Sequence, residues 1–221
     1  MRLEMKIFCL LLMIMCLLST LTQAAENPFI AVFIDAKTEK SLGPFPYDRL
    51  KTAQVIAKLR EYGAKGVVIK YFIDQPRLGS GDDALALEIK KIPVLLQAQF
   101  DEFEKTPNPL PEHFNISDQV QGNRNNLLSG KSGWIPLGKL IQGCAGIGFV
   151  DIANPNKQLV PLVVKYQSIL VPSLWLAILE LLEDKKAKII IGKEATIGNL
   201  VIPLNEAGEA SYELPAKDII N

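Results

Sequence analysis

Three carboxylates, Asp35, Asp74 and Asp151, stand near the ends of apolar runs that read as strands, and Arg49 and Lys70 lie close to two of them in the chain. These are candidate ligand-binding residues, because open α/β sheets bind ligands in the crevice beyond the carboxyl ends of their strands. Arg49 has two readings. Its planar guanidinium could clamp an anion or carboxylate, or it could pair with Asp35 and hold a turn against the first strand. Lys70 sits between Ile69 and Tyr71 inside an apolar run, where water should be scarce, and a buried ammonium needs a partner. Asp35 on the neighbouring strand is the first choice; the alternative is that Lys70 reaches solvent at the sheet edge.

Covalent and metal chemistry find less support. His113 is the only histidine, and its position between Pro111 and Phe114 in an irregular stretch reads as a surface residue. Zinc would need His or Cys partners that the chain lacks. Gly130, Lys131 and Ser132 look like the end of a phosphate-binding loop, but Asn125 stands where that pattern requires glycine, and Gly133 and Pro136 deny the helix that would hold the phosphate. Gly143, Gly146 and Gly148 precede a strand where a dinucleotide fingerprint must follow one, so they read as close-packing positions. Cys144, beside Gly143 and Ala145, reads as a small buried hydrophobe. The chain is therefore not read as an enzyme, and no cofactor, metal or catalytic residue is expected.

The elements that must position the charged residues begin with Phe29 to Ile34, an apolar run ending in Asp35 that reads as the first strand. Pro44 and Pro46 mark a turn. A helix starting near Pro46 to Asp48 carries Leu50, Ala53, Ile56, Ala57 and Leu59 on one stripe and ends at Gly63. Val67 to Ile73 follows as a second strand, giving a parallel pair with a crossover helix. A second helix is capped by Ser80, Asp82 and Asp83 and runs to about Lys91; Pro93 then opens a strand from Val94. Periodicity is lost over residues 101–133, where Pro107, Pro109 and Pro111 alternate, and this stretch reads as an irregular, mobile excursion. A short helix is expected over Trp134 to Leu140 and a strand over Ala145 to Ile152. The turn Asn154 to Lys157 leads into Leu159 to Tyr166 as an antiparallel hairpin. Leu174 to Glu183 is the strongest helix, apolar on more than one face, and short strands at Ile189 to Ile191, Leu200 to Pro203 and Ser211 to Leu214 close the chain. The fold class is α/β: a single domain with a mixed, largely parallel sheet flanked by helices and a C-terminal antiparallel part.

Several of these segments resemble the type-2 CHASE domain, an extracellular sensory domain of bacterial receptors. Ile34, Asp35, Ser41, Leu42, Gly43, Pro44, Pro46 and Arg49, then Gly63 to Lys65, are similar to its opening. Asp82 to Leu85 resemble its second helix start, Gly146 to Val150 its central strand, and Tyr166 to Pro172 with Ser173 and Leu174 its late strand and helix entry. The resemblance implies sensing on the far side of a membrane and names no ligand. This chain departs from it at Lys70, where the family usually carries Asp, and at Lys157, Gln158 and Leu159, where its hairpin usually carries Gly and Arg.

Residues 1–24 fit a secretory signal peptide: Arg2 and Lys6, an unbroken apolar run of 12 residues from Ile7 to Leu18, and the small-residue site Thr22, Gln23, Ala24. Cleavage leaves residues 25–221, with 22 basic and 23 acidic side chains. So even a balance gives nucleic acid no electrostatic footprint. No transmembrane segment is expected in the mature chain, which is placed in the periplasm or outside the cell. No output domain is expected after Asn221, so transmission of a signal is expected to need a separate membrane receptor. The function expected is a sensory-type domain that binds a small ligand or a membrane-bound signalling partner. A structural or protein-interaction module is the second reading, and a hydrolase the least favoured.

Overall fold

The computed structural model describes residues 29–43, 46–101 and 108–212; the expected signal peptide and the end of the expected last strand, Glu213 and Leu214, lie outside them. By its internal contacts the chain divides into two compact units, Met1–Pro46 and Tyr47–Asn221.

In the first unit, Phe29 to Ile34 is not a strand. It pairs with nothing in a sheet, and its side chains are exposed, Ile30 by 89% and Phe33 by 80%. The reason lies in Asp35, whose carboxylate accepts from Thr38 N at 2.8 Å and Thr38 Oγ1 at 2.6 Å. It thereby caps helix α1, Ala36–Leu42, at the point where the strand was expected to end.

The second unit carries the α/β fold. Asp48 caps α2, Arg49–Glu61, by accepting from Leu50 N, and Gly63 takes the positive φ that a helix exit favours. Strand β1, Val67–Ile69, lies parallel to β2, Val94–Phe100, which lies parallel in turn to β6, Gly146–Phe149. The short β5, Gly133–Trp134, adds antiparallel to the end of β2. Because side chains alternate along a strand, Ile69, Val94 and Leu96 face one layer with Ala53 and Ile56 of α2 and Leu85 and Ala86 of α3, Gly81–Glu88. Val68 and Leu95 face the opposite layer, with Leu174 and Ala177 of α5, Leu174–Glu183. Helix α5 also sends Leu176 into a third cluster with Ile189, Ala195 and Ile197. Its burial on two faces matches its amphipathic reading, although Trp175 and Leu182 stay exposed. Ser173 caps it through Leu176 N.

Gly148 shows why β6 is rich in glycine. A Cβ there would lie 2.2 Å from Leu174 Cα and 2.6 Å from Leu174 N, so the strand can pass under the first turn of α5 only without a side chain. The close-packing reading of this glycine therefore holds.

Three smaller sheets complete the unit. Strands β3 (Val120–Gln121), β10 (Lys188–Ile190), β11 (Glu194–Ile197) and β12 (Leu200–Pro203) form one. The expected hairpin within Leu159 to Tyr166 is split between the other two. Strand β7, Leu159–Pro161, pairs with β13, Glu209–Ser211, while β8, Val163–Tyr166, pairs antiparallel with β9, Ile169–Pro172, and parallel with β4, Ser129–Gly130. The tight turn is Gln167 with φ of 54°, a position whose sequence carries none of the usual glycine or asparagine signals.

The stretch read as a mobile excursion is anchored at several described points, although residues 121–126 stay exposed. Leu110, Phe114, Ile116, Val120 and Leu127 are buried, and Tyr166, fully buried, donates from its hydroxyl to the Asn108 backbone oxygen at 2.9 Å and to the Asn108 side-chain oxygen. Asn108 also bonds Gly133 O through Nδ2. Proline and asparagine here serve a non-repetitive but anchored backbone, which periodicity alone does not reveal.

Candidate functional site

A cleft of about 410 Å³ opens in the second unit, walled by Pro109, Pro111, Ile135, Pro136 and Ile141, with Asp74 at its charged end. Its lining comes from the segments that follow β1 (Asp74), β2 (Asn108 to Pro111) and β5 (Ile135 to Gln142), beyond the carboxyl ends of the parallel strands β1 and β2, where such a sheet presents a site. The two segments are held in register. Leu137 N donates to Ile73 O at 2.9 Å, so the start of the short helix α4, Gly138–Ile141, is pinned beside the chain that leads to Asp74. On the other wall, Asn108 is fixed by Gly133 and Tyr166, and the prolines beside it hold their backbone angles without help from hydrogen bonds. Behind them Trp134 packs edge-on to Phe72, ring centroids 4.8 Å apart, and its indole N–H donates to Asp101 at 2.9 Å. The cleft is thus formed by locked backbone rather than by side chains that must be ordered on binding.

Of the five charged candidates, Asp74 alone lines this cleft. Among the described residues its hydrogen-bond donor is Gln75 Nε2 at 3.2 Å. Arg49 is not an anion clamp open to solvent, nor does it pair with Asp35. Its side chain is 5% exposed and its Nε lies 3.4 Å from Asp82 Oδ1, while Nη2 donates to Gln75 O at 3.3 Å. The partner is Asp82 because α2 and α3 start side by side: a Cβ on Gly81 would fall 2.5 Å from Asp48 Oδ1 and 3.0 Å from Arg49 Cβ. Burial, then the nearby Arg77, lowers the pKa of Arg49, and Asp82 acts against both.

Lys70 is exposed, just past the end of the edge strand β1, so the expectation of a buried ammonium is overturned in favour of the solvent-facing alternative. Strand β1 ends at Ile69 and the chain bends away, which turns the Lys70 side chain outward. Asp35 belongs to the first unit and spends its carboxylate on Thr38, whose hydroxyl bond is the main cause holding its pKa below the ordinary value.

Asp151, two residues past β6, is half-buried and away from the cleft lining. Both of its oxygens receive the Phe100 N–H, at 3.0 and 3.2 Å. Burial pushes its carboxyl up to about 6, against the lowering effect of that hydrogen bond. Cys144 is also partly buried, and burial takes its thiol up to about 11, where almost none is thiolate at neutral pH. That is the behaviour of a packing residue. Among the described residues no group of three His, Cys, Asp or Glu side chains is placed to hold a metal ion.

Sequence reasoning missed the cleft walls. Asn108, Pro109, Pro111 and Pro136 were assigned to an excursion and a helix start, although alternating prolines carry a signal for stiffness as well as for irregularity.

The arrangement of helices and strands is covered from end to end by one family model, the CHASE2 domain, which matches residues 2–221. The chain belongs to the CHASE2 family. CHASE2 domains are sensory, and typically extracellular. No curated protein and no solved structure matches the chain. Among the described residues no helix is long and apolar enough to cross a membrane.

Proposed function

We propose that this CHASE2 domain is exported, after removal of residues 1–24, and senses a small ligand in the cleft that follows β1 and β2. The observation that supports this reading is the cleft itself: about 410 Å³, inside the range of roughly 300–1,000 Å³ common to small-molecule sites, with walls of locked backbone and one ionisable group. Sensing in this form requires that ligand binding change the free energy of one arrangement relative to another. One wall is held through Ile73, beyond the end of β1, and the other through Gly133 of β5 and Tyr166 of β8, which belong to different sheets, so a ligand that draws the walls together acts on both.

Gly138 gives a clean test, because a Cβ there meets nothing within 4 Å and it lines the cleft. Gly138→Phe should fill the space without straining the backbone. In thermal-shift measurements of the mature protein against a broad metabolite panel, a ligand present at a hundred times its Kd adds about 2.7 kcal/mol of stability. That stabilisation should vanish in Gly138→Phe. Hits that survive the substitution would reject the cleft as the site. A panel silent throughout would favour an interaction module without a ligand.

A further inference from the structure

We infer that the cleft takes a small organic amine, with the ammonium group against Asp74 and an apolar body between Pro109, Pro111 and Ile135; this rests on the ligand-binding reading above and adds the class of ligand. Among the described residues Asp74 is the one ionisable side chain in the lining. Its hydrogen-bond partner among the described residues is a neutral donor, the amide of its own neighbour Gln75, which leaves most of the acceptor capacity of a carboxylate unused.

The cations in the neighbourhood are committed elsewhere. Arg49 is held by Asp82 and by Gln75 O. Arg77 Nη1 donates to Tyr47 O at 3.0 Å. Lys139, next in chain to the lining residue Gly138, is paired with Asp83 at 2.5 Å. Arg49 lies close enough to interact electrostatically with Asp74, but its charge is already matched by Asp82. An anionic ligand would therefore meet the like charge of Asp74, with no uncommitted cation among the described lining residues to receive it. A wholly apolar ligand would cover the carboxylate without replacing its water, which costs free energy. An ammonium on an apolar body satisfies both requirements.

The remaining polar lining groups do not compete for that role. The carboxamide of Asn108 is occupied by Gly133 and Tyr166, so it shapes the wall. Gln142 stands exposed, where it can meet a polar tail but does not select a charge.

The test is calorimetry on the mature protein with a matched series: butyl, cyclohexyl and phenethyl bodies, each carrying ammonium, carboxylate or hydroxyl. The ammonium members should bind, and the carboxylates should be at least tenfold weaker. Asp74→Asn should weaken the ammonium members at least tenfold while leaving the hydroxyl members unchanged, and Gly138→Phe should abolish all binding. Equal binding of carboxylate and ammonium forms, or ammonium affinities unchanged in Asp74→Asn, would overturn the amine assignment while the cleft reading stands. Binding by no member of the series overturns the amine assignment too, and the cleft reading is then judged by whether any hit from the broad panel depends on Gly138.

Discussion

Replacing Arg49 by Met should be among the most damaging single changes in the second unit. The two side chains of its ion pair with Asp82 are 5% and 9% exposed, with 3.4 Å between Nε and Oδ1. At an effective dielectric constant of about 20 that separation corresponds to about 5 kcal/mol of attraction before desolvation is subtracted. The pair is Coulombic rather than hydrogen-bonded, since neither Arg49 Nε nor Asp82 Oδ1 has a hydrogen-bond partner. Arg49→Met would leave Asp82 with the Arg77 backbone N–H at 2.9 Å on its other oxygen, one donor for a buried charge. The expected loss is roughly 3–5 kcal/mol. Arg49→Met with Asp82→Asn removes both charges and keeps an acceptor for Arg77 N, so the double variant should lose only about 1–2 kcal/mol. Urea melts of the two single variants and the double variant give the coupling energy, which should exceed about 2 kcal/mol. A loss below about 1 kcal/mol in Arg49→Met, the range of exposed pairs, or strict additivity of the two substitutions, would refute the claim that this charge is held by Asp82.

Two further outcomes follow from the same structure. The Asp151 carboxyl is raised from 3.8 to about 6 by burial, so the folded protein holds its proton more tightly than the unfolded chain does; the resulting stabilisation is fully present below about pH 4 and is lost as pH rises through about 6, at most about 3 kcal/mol. Asp151→Asn keeps an oxygen for Phe100 N and should flatten this part of the urea midpoint against pH between 4 and 8, with higher stability than the parent above pH 7; an unchanged slope would show the carboxylate to be well solvated. Gly148→Ala should cost about 2–3 kcal/mol or more, because the new Cβ meets the backbone of Leu174 and not a movable side-chain tip; a thermal melt within 0.5 kcal/mol of the parent, an estimate on the scale of ordinary surface changes, would mean that β6 and α5 slide apart freely.

The elements whose signals are local were legible from residue order. Helix α5 runs from Leu174 to Glu183 as its apolar spacing and Ser173 cap indicate, α2 follows Asp48 and ends before Gly63, and Val94 opens a strand after Pro93. The alternation of strand and helix from Val67 onward also determined the α/β class, since parallel strands require crossovers. The first strand was misread because an apolar run needs a neighbour to become a strand, whereas Asp35 needs only Thr38, three residues on, to become a helix cap. Of the candidate site, the sequence supplied Asp74 and the general place, the ends of the parallel strands. Tertiary structure decided the rest. Which acid neutralises Arg49 depends on how closely two helix starts approach, and that is set by the missing side chain of Gly81, 32 positions further along the chain. Whether Pro109 and Pro111 belong to a loose loop or a rigid wall depends on Tyr166, whose hydroxyl reaches Asn108 across 58 residues of chain. Residue types and spacing report what a segment can do with its neighbours in sequence; pairings across that distance are chosen by packing, and the cleft is made of such pairings.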